Sequence, residues 1–229
     1  MARPAVLVFD VNETLVDIEA LEPYFARLFG RPGALREWFG QLVMYSMAVT
    51  LVDCYTDFFA LGQAAARMLA EISGVELADG DVAALTDAMA TMPAHSDAAS
   101  GLARLRDDGY RLVALTNSPR QPGRPTALES AGLGGYFERQ FSVDELRIFK
   151  PATALYQHTA RELGVRPSAC MMVAAHAWDT IGAQSAGFSG ALIARPGNAP
   201  LRADGLHQPD FIAADLVDLA GKLAQIFEK

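Results

Sequence analysis

The chain has 229 residues, of which 51% are hydrophobic and 20% are charged, and its formal net charge at pH 7 is −8. A chain of this length can bury a sizeable core, and its composition is that of a globular protein rather than a disordered one. The negative charge and the absence of Lys/Arg clusters argue against a nucleic-acid partner. Since the sequence contains no long apolar span and no signal-peptide pattern, we expect no membrane partner and predict a cytoplasmic location.

Two cysteines and three of the four histidines show no pattern of a functional site. Cys54 and Cys170 are far apart in the sequence and do not have the spacing of a metal site. Each lies in an apolar stretch, which predicts that both are buried free thiols. His95, His158 and His207 have no apparent partner in the sequence, and we interpret them as structural.

The first apolar run covers residues 6–9 and ends abruptly at Asp10. An uninterrupted run of apolar residues, most of them β-branched or aromatic, predicts a fully buried strand of a parallel sheet. In open α/β sheets, the residues that bind and react with ligands lie just beyond the carboxyl ends of the strands, which makes Asp10 a candidate reacting group. An Asp that only caps a turn or a helix is the alternative, and this stretch alone does not decide between the two.

Helical periodicity dominates the chain from about residue 16 to residue 92. Apolar residues recur at helical spacing in four segments, which lie near residues 21–28, 35–46, 58–69 and 81–89. This pattern predicts a small helical bundle inserted directly after the first strand.

From residue 96 onward, predicted helices and strands alternate, as in a doubly wound α/β sheet. Lys150-Pro151 precedes one of these helices, and we place Pro151 in its first turn, where the missing N–H is tolerated. Strands are predicted at residues 111–117, within 136–143, and at 169–175, 190–194 and 211–213, and helices at residues 97–108, 125–133, 153–163, 178–186 and 216–227.

Four short motifs, taken in order, resemble the signature motifs of the haloacid dehalogenase superfamily over nearly the whole chain. These motifs are Asp10-x-x-x-Thr14, Thr116-Asn117, Lys150-Pro151 and Asp179. Within the superfamily the chain is most similar to the L-2-haloacid dehalogenases. That likeness is carried by Lys150-Pro151-x-x-x-x-Tyr156 and Ala177-Trp178-Asp179.

The resemblance implies an α/β fold with a doubly wound, Rossmann-like parallel sheet and an inserted helical cap domain. The catalytic core would comprise residues 1–15 and 94–229, and the cap residues 16–93. The family's sheet order would place the Asp10 strand between the strands that precede Asn117 and His176. A homodimer is also implied by the resemblance alone.

The same resemblance implies hydrolysis of a small, anionic L-2-haloacid to a D-2-hydroxyacid and halide. Asp10 would attack the halogen-bearing carbon from behind, and water would then hydrolyse the resulting aspartyl ester. No cofactor and no metal are implied, because a halide leaves without a proton.

Lys150 would keep Asp10 ionised, since an ammonium nearby favours a carboxylate. Lys150 is also our candidate for a locally positive anion site, and its alternative is a surface lysine at a helix start. Asp179 would position Lys150 or the hydrolytic water, and Thr14 would donate a hydrogen bond to Asp10. The substrate-binding residues that we expect are Asn12, Phe39, Phe58, Thr116, Asn117, Tyr156 and Trp178, among which the three apolar rings would form a wall for a small substrate. The alternative for Phe58 is a core residue of the cap, and the alternative for Tyr156 is a residue on the helix face with its hydroxyl in water.

Three positions depart from the commonest dehalogenase pattern. Glu13 stands where Gly is usual, His176 where Asn is usual, and Phe39 where an Arg is usual. A subgroup of L-2-haloacid dehalogenases that resembles this chain has the same combination. We interpret Glu13 and His176 as a pair in which the imidazole takes a proton from the hydrolytic water. A histidine bonded to the backbone and a solvated glutamate are the alternative.

Three other functions are kept as alternatives. An epoxide-diacid hydrolase would use the same Asp10 carboxylate and His176 imidazole. We keep this alternative because Phe39 replaces the usual Arg. A small-molecule phosphatase is disfavoured, because Asn12 and Ala175 stand where such enzymes of the superfamily carry carboxylates. A catalytically silent binding module is disfavoured by the intact Asp10, Lys150 and Asp179.

Overall fold

The computed structural model describes residues 2–227. In this part of the chain, parallel strands form a six-stranded sheet in the order β3-β2-β1-β4-β5-β6. The strands are β1 (Val6–Phe9), β2 (Arg111–Thr116), β3 (Arg139–Ser142), β4 (Cys170–Ala174), β5 (Ser189–Ile193) and β6 (Phe211–Ala213). The predicted parallel sheet is therefore confirmed, and β1 lies between β2 and β4 as the resemblance implied.

The sheet is covered on both faces. Leu7 and Phe9 pack into one hydrophobic core, whereas Val6 and Val8 pack into a second core, because successive side chains of a strand point to opposite faces. All four residues are fully buried. The helices are α1 (Glu22–Phe29), α2 (Ala34–Leu51), α3 (Phe58–Ser73), α4 (Asp79–Ala90), α5 (Ala98–Asp107), α6 (Ala127–Ser130), α7 (Thr153–Glu162), α8 (Ala177–Ser185) and α9 (Leu216–Ile226).

The helices α1 to α4 lie between β1 and β2, where the sequence predicts a bundle. The buried Trp38 on α2 ties two of them together, since its Nε1 donates a 2.8 Å hydrogen bond to the carbonyl of Gly62 on α3. The chain enters and leaves the helical segment at one place, because Val16 and Ala94 form an antiparallel bridge. That this segment is a separate cap domain with bounds 16–93 stays a prediction.

Three details of the sequence prediction are wrong. Cys54 is exposed, because it lies in the loop that follows α2, and only Cys170 is buried. Pro151 precedes α7, whose N-cap is Ala152 and whose first residue is Thr153. The helix predicted at residues 125–133 is only the four-residue α6. In residues 2–227, no helix combines the length and hydropathy needed to cross a membrane.

Candidate active site

The carboxyl ends of three neighbouring strands bring the predicted site residues together. Asp10 directly follows β1, Asn117 follows β2, and His176 follows β4 by two residues. Phe9 is in register with Ala114 of β2 and Val173 of β4, so these strands end at the same edge of the sheet. The side chains of Asp10, Asn117 and His176 are all buried there.

Lys150 is a buried ammonium between two carboxylates. Its Nζ lies 2.8 Å from Asp10 Oδ1 and 2.7 Å from Asp179 Oδ2, and it also donates a 3.0 Å bond to the carbonyl of Leu115. These contacts use all three of its N–H groups. Burial opposes the charged form, but the two carboxylates outweigh it and raise the pKa of Lys150. Lys150 is therefore a fixed cation inside the site.

Asp10 is held ionised by its neighbours. Burial alone would raise its pKa, but the charges of Lys150 and His176 and their hydrogen bonds hold the pKa of Asp10 far below its ordinary value. Thr14 Oγ1 donates a 2.7 Å hydrogen bond to Asp10 Oδ2 and accepts one from the backbone N–H of Ala175. The carboxylate is thus charged and fixed in orientation.

Asp179 lies behind Lys150 and is fully buried. Its Oδ1 accepts a 2.6 Å hydrogen bond from the hydroxyl of Tyr156, while its Oδ2 accepts from Lys150. Burial raises the pKa of Asp179, Lys150 opposes this effect, and the nearby charge of Asp10 adds to it. Tyr156 and Asp179 therefore anchor the lysine through a contact separate from the one that it makes with Asp10.

Glu13 and His176 form the pair that the sequence suggests. His176 Nε2 lies 2.7 Å from Glu13 Oε2, and His176 Nδ1 lies 3.4 Å from Asp10 Oδ2. The two carboxylates outweigh the opposing effect of burial and raise the pKa of His176 to about 9. The ring stacks on Trp178 at 5.0 Å and is 5.6 Å from the ring of Phe39. Its orientation is therefore fixed by both polar and apolar contacts.

The Nδ1 atom of His176 is the buried polar atom that faces the nucleophile without a hydrogen-bond partner among residues 2–227. The His176 side chain lines a small cavity in which about 10 Å³ is open to the centre of a water molecule. This is roughly the space that one water requires. The cavity is lined by Asp10, Asn12, Phe39, Val43, Phe58, Asn117, His176 and Trp178.

The sequence matches a known protein family over most of its length. The sequence model described as haloacid dehalogenase-like hydrolase matches residues 4–187 of the chain. The chain belongs to this family of haloacid dehalogenase-like hydrolases.

Named relatives of this haloacid dehalogenase-like hydrolase cover most of its length. The (S)-2-haloacid dehalogenase 4A of Burkholderia cepacia is 31% identical over 198 residues, which cover 84% of each chain. The (S)-2-haloacid dehalogenase 1 of a Pseudomonas species is 32% identical over 186 residues, or 80% of this chain and 81% of that protein. The chain is also similar to a solved structure of the L-2-haloacid dehalogenase of Xanthobacter autotrophicus with chloropropionic acid covalently bound. The two structures superpose with a TM-score of 0.84 at 25% sequence identity, and the match covers 99% of this chain and 100% of that one.

Most of the predicted site residues meet at one place in this hydrolase. Two of the predicted substrate-binding residues, however, lie outside the cavity beside Asp10. Thr116 lines a separate cavity, and its Oγ1 accepts a hydrogen bond from the N–H of Ser118. Tyr156 is fully buried and reaches the site only through its hydrogen bond to Asp179. Asn117 lines the cavity, and its Oδ1 accepts a 3.2 Å bond from the N–H of Lys150.

Sequence reasoning missed two residues of the haloacid dehalogenase-like hydrolase that hold Glu13. Arg36 on α2 forms a salt bridge with Glu13 Oε1, and Asn198 Nδ2 donates a 2.8 Å hydrogen bond to the same oxygen. Asn198 is 185 positions from Glu13, so no local pattern indicates this contact. Glu13 itself has a φ of 66°, which is unusual for a residue with a side chain.

A second missed pair supports the loop after β1 in this hydrolase. The buried Arg195 donates a 2.9 Å hydrogen bond from Nη2 to the carbonyl of Thr14 and a 2.7 Å bond from Nη1 to Asp97 Oδ1. Burial would raise the pKa of Asp97, but the hydrogen bonds from Arg195 and from the backbone of Leu216 lower it. The ion pair of Arg195 with Asp97 therefore holds the loop that carries Glu13 and Thr14 in place.

In the part of this hydrolase that the structure describes, no group of three or more His, Cys, Asp or Glu side chains is arranged to hold a metal ion. The ammonium of Lys150 lies between the carboxylates of Asp10 and Asp179, so these two groups already share a cation.

Proposed function

We propose that this hydrolase cleaves carbon–halide bonds and converts small L-2-haloacids to D-2-hydroxyacids through an ester on Asp10. One observation carries this proposal. Asp10 is ionised, pairs with the buried Lys150 and lines a cavity with an apolar wall. The named relatives are (S)-2-haloacid dehalogenases, and one solved relative holds chloropropionic acid covalently.

In the first step, a carboxylate oxygen of Asp10 forms a bond to the carbon that bears the halogen. The carbon–halogen bond breaks, the halide leaves with the electron pair, and the configuration of the carbon inverts. Lys150 keeps the nucleophile charged, and Thr14 orients it. The rings of Phe39, Phe58 and Trp178 exclude water from the carboxylate, which favours attack on carbon.

The free enzyme holds His176 as an imidazolium at neutral pH, because its pKa is about 9. Its Nδ1–H then faces Asp10 Oδ2 at 3.4 Å, so the ring stays paired with the nucleophile until the ester forms. Lys150 cannot bind the substrate carboxylate without losing a contact, since its three N–H groups are already used. We therefore propose that the amides of Asn12 and Asn117, which line the cavity, bind the substrate carboxylate in place of Lys150.

Ester formation removes the charge of Asp10, which is one of the two carboxylates that raise the pKa of His176. The imidazolium then releases its proton to solvent, and neutral His176 accepts a proton from the water that attacks the ester carbonyl. Of the two protons of that water, one ends on the hydroxyl of the product and one on His176. Asp10 is restored as a carboxylate, and Glu13 stabilises the imidazolium that forms on His176.

We also propose that the chain belongs to the subgroup that the sequence resembles, which combines the Glu13–His176 pair with Phe39 in place of the usual Arg. The contact between Glu13 Oε2 and His176 Nε2 supports this assignment. The ring of Phe39 packs on that of His176, so Phe39 serves as an apolar wall and supports the imidazole.

Neither of the other reactions is favoured by a particular contact. A phosphatase would use a carboxylate as acid and base at position 12, where this chain has Asn12. The metal that such an enzyme needs would compete with Lys150, which already neutralises Asp10 and Asp179. An epoxide-diacid hydrolase would use the same Asp10 and His176, and nothing in the cavity selects it over the haloacid.

The proposed function is tested by halide release from the separate enantiomers of 2-chloropropionate in the presence of EDTA. We expect turnover of the L enantiomer alone, with D-lactate as product. Lactate of unchanged configuration would contradict backside attack, and activity that EDTA abolishes would contradict a reaction that needs no metal. Absence of halide from both enantiomers, with turnover of an epoxide diacid, would assign the alternative reaction.

We also propose that the protein is a homodimer, as the family suggests. Met44, Tyr45, Leu51 and Val52, in and just after α2, are large apolar residues exposed to solvent, which supports a self-association surface. Light scattering of the purified protein measures its mass directly, and a monomer at all concentrations would contradict the proposal. The cytoplasmic location stays a prediction from the sequence.

A further inference from the structure

We infer that Arg36 is a positioning residue for ester hydrolysis, which it supports by holding Glu13 in contact with His176. This inference rests on the proposed function. It goes beyond that function because Arg36 belongs to a helix of the inserted segment and touches neither Asp10 nor the cavity beside it.

The two oxygens of the Glu13 carboxylate have different partners. Oε2 faces His176 Nε2 at 2.7 Å. Oε1 accepts hydrogen bonds from Arg36 Nη1 and from Asn198 Nδ2. Because Arg36 and Asn198 occupy Oε1, the carboxylate cannot rotate without breaking those bonds, and Oε2 remains directed at the imidazole.

The guanidinium of Arg36 is held by further contacts on both sides. Its Nη2 pairs with Glu19, which precedes α1, and donates a 3.1 Å hydrogen bond to the carbonyl of Pro196, in the segment between β5 and β6. Gly197 leaves room for it, since a Cβ at that position would lie 3.2 Å from Arg36 Nη2. Arg36 therefore joins α2 to the loops at the carboxyl edge of the sheet.

One turn of α2 contacts both members of the pair. Phe39 follows Arg36 by three residues, so the two side chains lie on the same side of the helix. The Phe39 ring is 5.6 Å from the His176 ring, while the Arg36 guanidinium binds Glu13. A shift of α2 would consequently disturb Glu13 and His176 at the same time.

The charge of Arg36 matters as well as its position. Glu13 has only 3% of its side chain exposed, and burial alone would raise its pKa. His176 and Arg36 outweigh burial and lower the pKa of Glu13, which therefore stays ionised. An ionised, fixed Glu13 stabilises the imidazolium that forms when His176 accepts a proton from water. The first step needs no such proton acceptor, so Arg36 is expected to act on the second step alone.

The test separates the two steps by rapid quenching with L-2-chloropropionate. Halide released in the first turnover measures ester formation, and decay of the modified Asp10 peptide, followed by mass spectrometry, measures hydrolysis. For Arg36→Met we expect a normal burst of halide and ester hydrolysis slowed about tenfold to a hundredfold, because a positioning defect costs less than the ~10²–10⁴ contributed by a general base. Arg36→Lys should recover part of the rate, since an ammonium restores the charge but not the planar fork.

A matched control is Arg31→Met. Arg31 forms an exposed salt bridge with Glu37 of α2, so this variant removes a cation from the same region without touching Glu13. We expect it to hydrolyse the ester at the wild-type rate. If Arg36→Met fails to fold, Asn198→Ala replaces it, since this change removes the other donor to Glu13 Oε1 and should slow the same step less severely.

Several results would overturn the inference. Equal slowing of both steps in Arg36→Met, or no recovery in Arg36→Lys, would mean that Arg36 acts only through general packing. Arg36 would have no part in ester hydrolysis if Arg36→Met hydrolyses the ester at the wild-type rate. If that variant does not fold, the same conclusion follows when Arg36→Lys and Asn198→Ala both hydrolyse the ester at the wild-type rate. A wild-type enzyme that gives no halide burst would contradict the proposed function instead.

Discussion

The Lys150 ammonium and the Asp10 carboxylate form a buried ion pair at the carboxyl edge of the sheet, with 2.8 Å between Nζ and Oδ1. The Lys150 side chain has no exposed surface, and a second carboxylate, Asp179, lies on its other side. A charged group is costly to bury unless its partners compensate it. The pair therefore links the stability of the fold to the charge state of the nucleophile.

Replacing Lys150 by Met should destabilise the protein and abolish ester formation. Loss of one partner leaves the buried carboxylates of Asp10 and Asp179 uncompensated, which costs about 3–5 kcal/mol of unfolding free energy. Urea unfolding measures this loss, and halide release measures the activity. The control is Lys222→Met, because Lys222 forms an exposed helix pair with Asp218 that contributes about 0.3–0.5 kcal/mol. Similar losses in the two variants would contradict the buried-pair interpretation.

His176→Ala should convert the enzyme into one that forms the ester and cannot hydrolyse it. We expect about one halide per active site and a stable mass increment on the peptide that carries Asp10, since the base contributes about 10²–10⁴ in rate. Glu13→Gln should slow hydrolysis in the same way but less severely. If His176→Ala gives neither halide nor adduct, His176 serves the first step or the structure only.

The pKa of His176 should fall when Asp10 loses its charge. In the wild type the carboxylates of Asp10 and Glu13 raise this pKa from 6.5 to about 9. Asp10→Asn mimics the uncharged ester, so the imidazole should titrate at lower pH in that variant. NMR titration measures the change, and His176→Gln identifies the resonance among the four histidines. An unchanged pKa in Asp10→Asn would remove the proposed control of the base by the ester.

The same shift predicts how stability depends on pH. The folded-state pKa of His176 is raised, so its contribution to stability is fully present below the unfolded pKa of 6.5 and is lost as the pH rises through about 9. The difference in unfolding free energy between wild type and His176→Gln should therefore shrink between these pH values. A difference that grows over this range would contradict the sign of the shift.

Gly182 of α8 allows the close approach of two site segments, and Gly182→Ala should disturb both. A Cβ there would lie 2.5 Å from Pro151 Cβ and 2.6 Å from its carbonyl oxygen. Overpacking of this kind costs about 1–3 kcal/mol. The displacement would also separate Lys150 from Asp179, so activity should fall. Gly40→Ala is the control, since a Cβ in that helix meets nothing within 4 Å, and it should not destabilise the protein.

The sheet and the core of the site follow from local sequence. Asp10 and Asn117 each end an apolar run that is long enough for a buried strand, and His176 closely follows a third. Neighbouring parallel strands end at the same edge, so the meeting of these side chains was predictable. The pairing of Glu13 with His176 followed only when the superfamily motifs fixed the position of both residues.

The residues that hold the loop after β1 in place were not predictable in this way. Arg36, Asn198 and Arg195 reach the loop after β1 from distant parts of the chain, and each has an ordinary sequence context. Their contacts depend on how helices and loops pack in three dimensions. Cys54 was misplaced for a similar reason, because the apolar character of its neighbours did not reveal that α2 ends just before it.

The most direct test of the covalent role of Asp10 is a single turnover in water labelled with heavy oxygen, with enzyme in excess over L-2-chloropropionate. If water attacks the carbonyl of an Asp10 ester, the label enters the Asp10 carboxylate and the D-lactate of this first turnover is unlabelled. Mass spectrometry of the Asp10 peptide and of lactate measures both. Label in the lactate with an unlabelled Asp10 would mean that water attacks the substrate directly, and it would contradict the ester.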